Sequence, residues 1–502
     1  MREKRILLIE PPFLRLYHPD ASLNKLPLSL GYLAGTIRAR RPDWEVRIYN
    51  ADFSARDMPL DYRFLAGPGY EGFLRTLNDP LAIVWKQIES VISEFRPSVV
   101  GVTTKSQNYL CACMIARIAK SLDKDTWVVV GGPHPSLAGA DVLKEPAIDV
   151  GVRGEGEETI LDVLDFVESG RPLSSIPGIV YREGGRVVAN PPREFIRDLD
   201  ALPFPVTTAR ACLMDYDRYP REAFKYLFAV RGCPYACTFC GSRYIWGRNV
   251  RFRSVQNIIA EMQEIQKTGI DYIHFDDDTF GVTKSFIRDL CAEIETRCVG
   301  LHWSCETHVR LVDEETISRM KSAGCRSILL GVESGNDAML ARIRKNITVE
   351  DAFNAARIIK KQGVYLSAFF IVGFPHETEE SLDDTIRVIK TLPADVVVYS
   401  IFTPYFGTEL FDWCREQGII PEDFNAFLHN HQSPDNYFCP QIAEDVFKSR
   451  VRALEKALDR INGRRKLRMY FSREGLLRLK EKGGRRTISR VLHLCRNVMR
   501  PR

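Results

Sequence analysis

Short apolar runs alternate with amphipathic stretches along roughly the first 165 residues, and this alternation limits the chain to few folds. Strands are predicted at residues 5–9, 44–49, 98–104 and 126–131, and helices at residues 28–40, 81–95, 110–122 and 157–168. Strands that are joined through helices run parallel, and the helices cover both faces of the sheet. The chain should therefore begin with a Rossmann-like α/β domain that binds ligands at the carboxyl ends of its strands.

The same alternation returns after residue 225. Strands are predicted at residues 226–230, 272–275, 301–304, 327–330, 365–372 and 396–401. Ser254, Asp313 and Thr348 are predicted N-caps of the intervening helices, because their side-chain oxygens can accept a hydrogen bond from a free amide of the first turn. Six βα units, fewer than the eight of a closed barrel, predict an open partial (β/α)6 barrel whose site lies at the strand carboxyl ends.

The chain of 502 residues is long enough for two or three domains. Proline and glycine cluster between residues 170 and 220, where a hairpin is predicted around Gly184 and Gly185. We therefore expect an α/β domain over residues 1–169, a linker over 170–220, the partial barrel over 221–420 and a mostly helical segment over 421–502.

Composition indicates the compartment. The 13 cysteines are too sparse for a disulfide scaffold and indicate a reducing environment. The apolar run at the N-terminus is too short for a signal peptide, and no stretch reaches the roughly 18 apolar residues of a membrane span. A cytoplasmic protein is expected.

Three cysteines stand on one short loop, in the run Arg-Gly-Cys-Pro-Tyr-Ala-Cys-Thr-Phe-Cys at residues 231–240. Cys233, Cys237 and Cys240 follow C-x3-C-x2-C spacing, which differs from the two separated C-x2-C pairs of a zinc site. Three thiolates can hold three irons of a [4Fe–4S] cube, whereas most such cubes have four cysteine ligands. The fourth iron would then be open to a small molecule.

Small residues gather at two strand ends of the first domain. Glycines at such places let backbone N–H groups approach a phosphate or an amide-rich ligand, and a plain turn is the alternative. The candidate ligand-binding residues are Thr104, Gly131, Gly132, His134, Gly154, Glu155 and Gly156.

The cysteine spacing, with Phe239 just before the third thiol, resembles the radical S-adenosylmethionine (SAM) superfamily. The resemblance implies that SAM binds the open iron through its amine and carboxylate, with Phe239 beside the site. It also implies that one electron cleaves SAM to methionine and a 5′-deoxyadenosyl radical, which abstracts hydrogen from an unactivated carbon. An external electron donor such as flavodoxin or ferredoxin is expected.

The resemblance also implies SAM contacts at the strand ends of the predicted barrel. The candidates are Asp276, Asp278, Glu306, Glu333, Ser334 and Gly373. By resemblance, the aspartates meet the amino group, Glu333 and Ser334 lie in the ribose region, and Gly373 allows the adenine to approach closely. A helix N-cap or a salt bridge is the alternative for each acidic residue.

The first domain looks like the cobalamin-binding domain that precedes many radical SAM cores. The likeness rests on the glycine-bearing loops and on the runs at 9–12, 26–34 and 99–104. Many cobalamin proteins carry Asp-x-His-x-x-Gly, whose histidine ligates cobalt, but Ser54 stands at the place of that histidine. Cobalamin is therefore expected without a protein histidine on cobalt, and His134 is expected to pack against its nucleotide tail.

The C-terminal segment is strongly basic, with 19 Lys/Arg and 4 Asp/Glu over residues 446–502. Between residues 486 and 500, apolar residues share one helical face and arginines lie largely off it. Such a helix can lie on an anionic membrane surface, and a helix packed on its own domain or a loose tail is the alternative. Aromatic residues are sparse there, so nucleic-acid binding is not expected.

Together these resemblances imply a class B-like cobalamin-dependent radical SAM enzyme. The expected activity is a methyltransferase that uses methylcobalamin to methylate an unactivated carbon of a lipid-like, isoprenoid or natural-product small molecule. One alternative is a ring-forming or rearrangement enzyme with the same cofactors, and another is a non-catalytic cobalamin sensor. A methylthiotransferase-like enzyme would need three N-terminal cysteines, but only Cys111 and Cys113 are present, on a predicted helix.

Overall fold

The computed structural model describes residues 3–58, 60, 62–65, 68–429, 433 and 435–470. The described residues form two compact units, one within residues 3–303 and 403–436 and the other within residues 304–402 and 437–470. The predicted basic helix at residues 486–500 lies outside the described residues. Within the described ranges, no helix is long and apolar enough to cross a membrane.

The first unit is built around a seven-stranded sheet with the order β2-β1-β3-β4-β5-β6-β7. Its strands are β1 (Arg5–Glu10), β2 (Glu45–Asn50), β3 (Val99–Thr103), β4 (Trp127–Gly131), β5 (Val150–Val152), β6 (Ile179–Glu183) and β7 (Arg186–Ala189). The first five strands are parallel, and β6 and β7 are antiparallel additions at one edge. The central strands β1, β3 and β4 are nearly continuous buried aliphatic runs, as is usual for parallel strands covered on both faces.

The described residues of this part of the chain form nine α-helices. They are α1 (Leu14–Tyr17), α2 (Leu28–Arg40), α3 (Tyr62–Leu65), α4 (Pro68–Asn78), α5 (Ile83–Phe95), α6 (Tyr109–Leu122), α7 (Pro133–Ala138), α8 (Glu157–Ser169) and α9 (Pro205–Cys212). The four predicted helices correspond to α2, α5, α6 and α8. Their ends shift by at most two residues, which is the usual fraying of helix termini.

The predicted linker hairpin is confirmed as β6 and β7. Gly184 and Gly185 form its turn with φ of +55° and +78°, a backbone conformation that favours glycine at both positions. The hairpin is not free-standing, because β6 pairs with β5 and so extends the first sheet.

The second series of strands begins in the first unit. Its elements there are β8 (Tyr226–Leu227), β9 (Val230–Arg231), α10 (Ser242–Trp246), β10 (Arg251–Phe252), α11 (Val255–Lys267), β11 (Tyr272–Phe275) and α12 (Lys284–Arg297). β8 pairs in parallel with β11, whereas β9 pairs antiparallel with β10. The prediction of one strand over residues 226–230 was wrong, because the amides of Ala229 and Val230 donate to the buried carboxylate of Asp277 at 2.8 and 3.0 Å.

The chain then passes into the second unit along β12 (His302–His308). The elements that follow are α13 (Glu314–Ser322), β13 (Cys325–Glu333), α14 (Asp337–Arg342), α15 (Val349–Lys361), β14 (Tyr365–Val372), α16 (Glu379–Thr391) and β15 (Val396–Ile401). β13, β14 and β15 are neighbouring parallel strands. Among the described residues two further helices follow, α17 (Glu409–Glu416) in the first unit and α18 (Glu444–Tyr470) in the second.

The strands β8, β11, β12, β13, β14 and β15 thus alternate with helices, which confirms the predicted α/β class and its six βα units. Ser254, Asp313 and Thr348 cap their helices as predicted. The prediction that Glu306 follows a strand was wrong. The extended backbone of β12 continues to His308, whose ring accepts a hydrogen bond from the next turn, so Glu306 lies inside the strand.

Candidate cofactor sites

The three-cysteine loop connects β9 to α10 without forming a helix or a strand of its own. The thiols of Cys233, Cys237 and Cys240 are all partly exposed. The hydroxyl of Thr279 lies 3.2 Å from Sγ of Cys233, and the amide of Ser242 donates to Sγ of Cys240 at 3.5 Å. In the described part of the chain, no three His, Cys, Asp or Glu side chains converge as one metal ion would require. A cube needs no such convergence, because each iron takes its own thiolate, so the loop fits the predicted cluster.

Gly232 determines how the chain enters this loop. Its φ is +104°, and a Cβ at this position would lie only 2.9 Å from the carbonyl oxygen of Asn249. A larger residue at position 232 would therefore push the start of the loop away from the segment that leads into β10.

The thiol of Cys240 is held in its protonated form when no metal is bound. Burial raises its pKa to about 12, although the amide of Ser242 favours the thiolate. Thiolates are the metal ligands, so iron binding must displace this proton.

The glycine-bearing loops after β4 and β5 leave open space beside the backbone. A Cβ at Gly154 would meet nothing within 4 Å among the described residues, and one at Gly131 would come near only Val152, at 3.8 Å. Gly132 differs, because it has φ of +99° and a Cβ there would lie 3.0 Å from Thr104. Bare backbone next to open space is a cradle for a bulky ligand, so these loops fit the predicted cobalamin.

These loops form part of the wall of a cavity of about 410 Å³ in the first unit. The predicted site residues on this wall are Gly131, Gly132, Gly154, Glu155, Gly156, Asp276 and Asp278. Residues that flank the cysteine loop also line the cavity, namely Val230, Arg231, Ile245 and Trp246. The cavity therefore brings the predicted cobalamin loops together with the neighbours of the predicted cluster loop.

The sequence analysis missed several polar residues of this wall. They are Glu10, Lys25, Tyr32, Lys105 and Arg231. Glu10 could have been found, because it ends β1 and ligands bind at the carboxyl ends of parallel strands. Its burial raises the pKa of its carboxyl group. Arg231 directly precedes the Gly-Cys pair of the loop, but no local pattern assigns it a role.

Thr104 and His134 are not among the residues that line this cavity. The Nδ1 atom of His134 lies 3.1 Å from Oγ of Ser106, and its ring packs against Tyr109 and Phe427 at centroid distances of 4.5 and 5.1 Å. Burial lowers the pKa of His134 to about 3, so the ring is neutral. The contact of both residues with cobalamin stays a prediction.

Ser54 lies on a separate cavity of about 280 Å³, whose wall also includes Arg15 and Tyr49. The preceding Asp52 is buried and accepts hydrogen bonds from the amides of Phe13 and Arg15 at 2.8 and 2.9 Å. Position 54 and the glycine loops line different cavities. That no protein histidine binds cobalt stays a prediction.

A buried group of four charged side chains connects the 154–156 loop to β9. Arg231 donates to Glu155 at 2.7 Å and to Glu157 at 2.5 Å, and Arg251 donates to both oxygens of Glu155 at 2.9 Å. The four side chains are 3 to 14% exposed. Because the protein itself already binds both oxygens of Glu155, the contact of this residue with a cofactor stays a prediction.

The three aspartates after β11 have different surroundings. Asp276 forms an ion pair with Nζ of Lys25 at 2.6 Å. Asp278 accepts a hydrogen bond from the hydroxyl of Ser242 at 2.5 Å, and burial raises the pKa of its carboxyl group. Asp276 and Asp278 line the cavity, whereas Asp277 holds the backbone between β8 and β9.

Two predicted SAM contacts of the second unit lie at the end of β13. Glu333 has a left-handed φ of +73° next to a β-bulge, and its carboxylate binds Nζ of Lys345 at 2.8 Å. Ser334 is fully buried, with Oγ 3.2 Å from Oγ1 of Thr385. A non-glycine residue with positive φ is a strained position of the kind found at functional sites.

Gly373 follows β14 with φ of +81°, and a Cβ at this position would lie 2.7 Å from the ring of Phe447. Its amide donates to the carboxylate of Glu377, whose pKa burial raises to about 7. Glu377 is not among the site residues predicted from the sequence. Glu306 is exposed and Phe239 is half-buried, and their contacts with SAM stay predictions.

Two family models match separate parts of the chain. The B12 binding domain matches residues 25–164, and the Radical SAM superfamily matches residues 227–389. An uncharacterized methyltransferase of Pyrococcus horikoshii is 32% identical over 424 residues, which cover 84% of this chain and 85% of that protein. An anaerobic magnesium-protoporphyrin IX monomethyl ester cyclase of Rubrivivax gelatinosus is 30% identical over 362 residues, which cover 69% of this chain and 63% of the cyclase.

A solved structure shares the fold. It is the radical SAM methyltransferase TsrM from Kitasatospora setae with cobalamin and a [4Fe–4S] cluster bound. Its TM-score is 0.68 at 18% identity, over 91% of this chain and 88% of that chain.

The two family matches define a class of α/β enzymes that combine an iron–sulfur cluster with a corrinoid. The chain belongs to the radical SAM superfamily, among the members that carry a B12-binding domain. It is a radical SAM enzyme, and its cofactors are a [4Fe–4S] cluster, SAM and cobalamin. The predicted family, fold class and cofactors are confirmed.

Proposed function

We propose that the protein is a cobalamin-dependent methyltransferase that acts on an unactivated carbon of a small molecule. The observation that carries this proposal is the cavity of about 410 Å³, which the glycine loops and the flanks of the cysteine loop line together. A carbon radical can take a methyl group from a corrinoid only if both cofactors face the same space. The methyltransferase relative from Pyrococcus horikoshii supports this activity.

The chain supplies distinct groups for this chemistry. When bound, the cluster and SAM supply the 5′-deoxyadenosyl radical, and cobalamin carries the methyl group. Cys233, Cys237 and Cys240 would hold the cluster, and Gly131 and Gly154 would leave room for the corrin. The remaining cavity wall is mainly apolar, which excludes water from a reactive radical.

We also propose the SAM contacts and the domain boundaries given by the sequence. Glu333 and Gly373 have positive φ of +73° and +81° at strand ends, and positions of this kind are frequent at functional sites, which supports their assignment to the ribose and the adenine. The family matches fall inside the proposed cobalamin domain (1–169) and radical core (221–420). Residues 170–220 would link them, and residues 421–502 would form the C-terminal region.

The alternatives have less support. The cyclase relative is matched over only 63% of its length, which weakens a ring-forming reaction. A cobalamin sensor would not need the cysteine loop. Cys111 and Cys113 are buried on α6, where they are poorly placed to hold the second cluster of a methylthiotransferase.

The physiological setting is proposed from the sequence. A lipid or isoprenoid-like substrate, a flavodoxin or ferredoxin as electron donor, a cytoplasmic location and a membrane contact through the basic C-terminal segment are all proposals. No nucleic-acid partner is proposed.

The test is an anaerobic incubation of reconstituted protein with hydroxocobalamin, a reductant, methyl-deuterated SAM and a host lipid extract. A methyltransferase should release 5′-deoxyadenosine and S-adenosylhomocysteine together and should give one lipid a deuterated methyl group. Release of 5′-deoxyadenosine alone would instead indicate ring formation or rearrangement.

Cysteine variants provide the control. Replacing Cys233, Cys237 and Cys240 by alanine should abolish both the cubane spectrum and SAM cleavage. Replacing Cys298, a buried cysteine at the end of α12, should preserve both. A cubane spectrum that survives the triple replacement would contradict the assignment.

A further inference from the structure

A single guanidinium connects the loops that would bind two different cofactors. Arg231 immediately precedes Gly232 and the cluster ligand Cys233, and it donates to Glu155, the middle residue of the 154–156 loop. The other terminal nitrogen of Arg231 donates to Glu157. The 154–156 loop and the cysteine loop are therefore mechanically joined through buried, charged hydrogen bonds.

The surroundings of Arg231 allow it little freedom. Its guanidinium lies 5.3 Å from the ring centroids of both Tyr32 and Trp246, and all three residues line the cavity. The two terminal nitrogens of its guanidinium bind two different carboxylates. A planar guanidinium suits this arrangement better than a single ammonium group does. Arg231 thus has a defined orientation between the two loops.

Glu155 is held just as firmly on its other side. Its carboxylate accepts from the amide of Ile196 at 2.7 Å, and Arg251, which also binds Glu155, donates to the carbonyl of Ile196 at 2.7 Å. Because these charges are buried, separating them costs more than moving them together. A rearrangement of the 154–156 loop must therefore move Glu155, and with it Arg231 and the start of the cysteine loop.

We propose that Arg231 is a positioning residue that couples the cobalamin site to the cluster site, so that each cofactor strengthens the binding of the other. This inference rests on the proposed function of the two loops. A bound cluster fixes the cysteine loop, and through Arg231 it orders the 154–156 loop before cobalamin arrives, which lowers the cost of binding. Such coupling is reciprocal and commonly amounts to about 5- to 150-fold.

The experiment measures both directions of the coupling in the full-length protein. Equilibrium dialysis gives the Kd of hydroxocobalamin for the cluster-free and the reconstituted protein. The rate of iron release to a chelator is then measured with and without hydroxocobalamin. In the wild type, the cluster should lower the Kd about tenfold, and cobalamin should slow iron release.

Two double variants separate coupling from stability. Arg231→Met with Glu157→Gln removes the connection without leaving an unpaired charge, and it keeps the pair of Glu155 and Arg251. The matched control is Arg253→Met with Glu261→Gln, because that ion pair is equally buried, at 5 and 0% exposed, and does not line the cavity. The first variant should bind cobalamin with the same Kd in both states, and the control should retain the tenfold ratio.

Each outcome has one meaning. A wild-type ratio near one, or a tenfold ratio that survives in the Arg231 variant, overturns the coupling. If that variant does not purify as folded protein, Arg231→Lys replaces it, and a full tenfold ratio in Arg231→Lys likewise overturns the coupling. Protein that binds no cluster or no cobalamin would contradict the proposed function instead, so the two failures are distinguishable.

Discussion

Replacing Gly154 by alanine tests whether the bare backbone of its loop contacts cobalamin. Gly154 has φ of +78°, so alanine should cost about 1–2 kcal/mol of backbone strain. Its Cβ would enter the cavity, where no described atom lies within 4 Å. A methyl group forced against a bound corrin is overpacking, which costs about 1–3 kcal/mol. Since about 1.4 kcal/mol is tenfold in affinity, the Kd for cobalamin should rise about 5- to 150-fold.

Gly170 provides the matched control for this variant. It has φ of +73°, and a Cβ there would also meet nothing within 4 Å among the described residues, but it ends α8 and does not line the cavity. Equilibrium dialysis with hydroxocobalamin should show weaker binding for Gly154→Ala only, while thermal unfolding shows similar losses for both variants. Equal binding by the two variants would refute the assignment of this cavity to cobalamin.

Three further changes test other parts of the site. Asp277→Leu should speed hydrogen exchange over residues 226–232 at least tenfold, since two buried amides lose their acceptor at about 1–3 kcal/mol each. Asp277→Asn should not, and equal exchange in the two variants would contradict the role of Asp277. Burial raises the pKa of Asp277 to about 8, so the folded protein holds this proton more tightly than the unfolded chain. The free energy of unfolding of the wild type should therefore decrease between about pH 4 and pH 8, and this decrease should be absent in Asp277→Asn. Lys25→Met removes a partly exposed ion pair with Asp276, which contributes about 1 kcal/mol or less. This variant should exchange cobalamin faster in a dilution assay and should keep the cluster. In Ser54→His, the electron paramagnetic resonance spectrum of bound Co(II) should show no nitrogen splitting from position 54, because Ser54 lines a different cavity.

The sequence predicted the fold best where burial alone determines a strand. β11, β14 and β15 have the predicted bounds, because strands covered by other elements appear as apolar runs between turn residues. The interruption between β8 and β9 was not predictable in this way. It comes from Asp277, nearly 50 residues further along the chain, which takes the amides that would otherwise continue the ladder. A local pattern contains no information about such a distant acceptor.

The site followed the same rule. Cysteine spacing and glycines with positive φ are local requirements, so the cysteine loop and the glycine loops could be found from neighbouring residues. Arg231 could not be predicted, because its partners Glu155 and Glu157 lie 76 and 74 residues away. His134 shows the same limit, because Phe427, almost 300 residues later, packs against its ring and no local pattern contains that contact.

Ion pairs on the cavity wall differ in burial, and this difference determines where the wall can open. The side chains of Arg231 and Glu155 are 7 and 3% exposed, whereas those of Lys25 and Asp276 are 27 and 28% exposed. Breaking a buried pair costs about 3–5 kcal/mol, but a pair with access to water contributes about 1 kcal/mol or less. The wall should therefore open first at Lys25, while Arg231 keeps the 154–156 loop joined to the cysteine loop. This asymmetry would let a bulky corrinoid enter without separating the 154–156 loop from the cysteine loop.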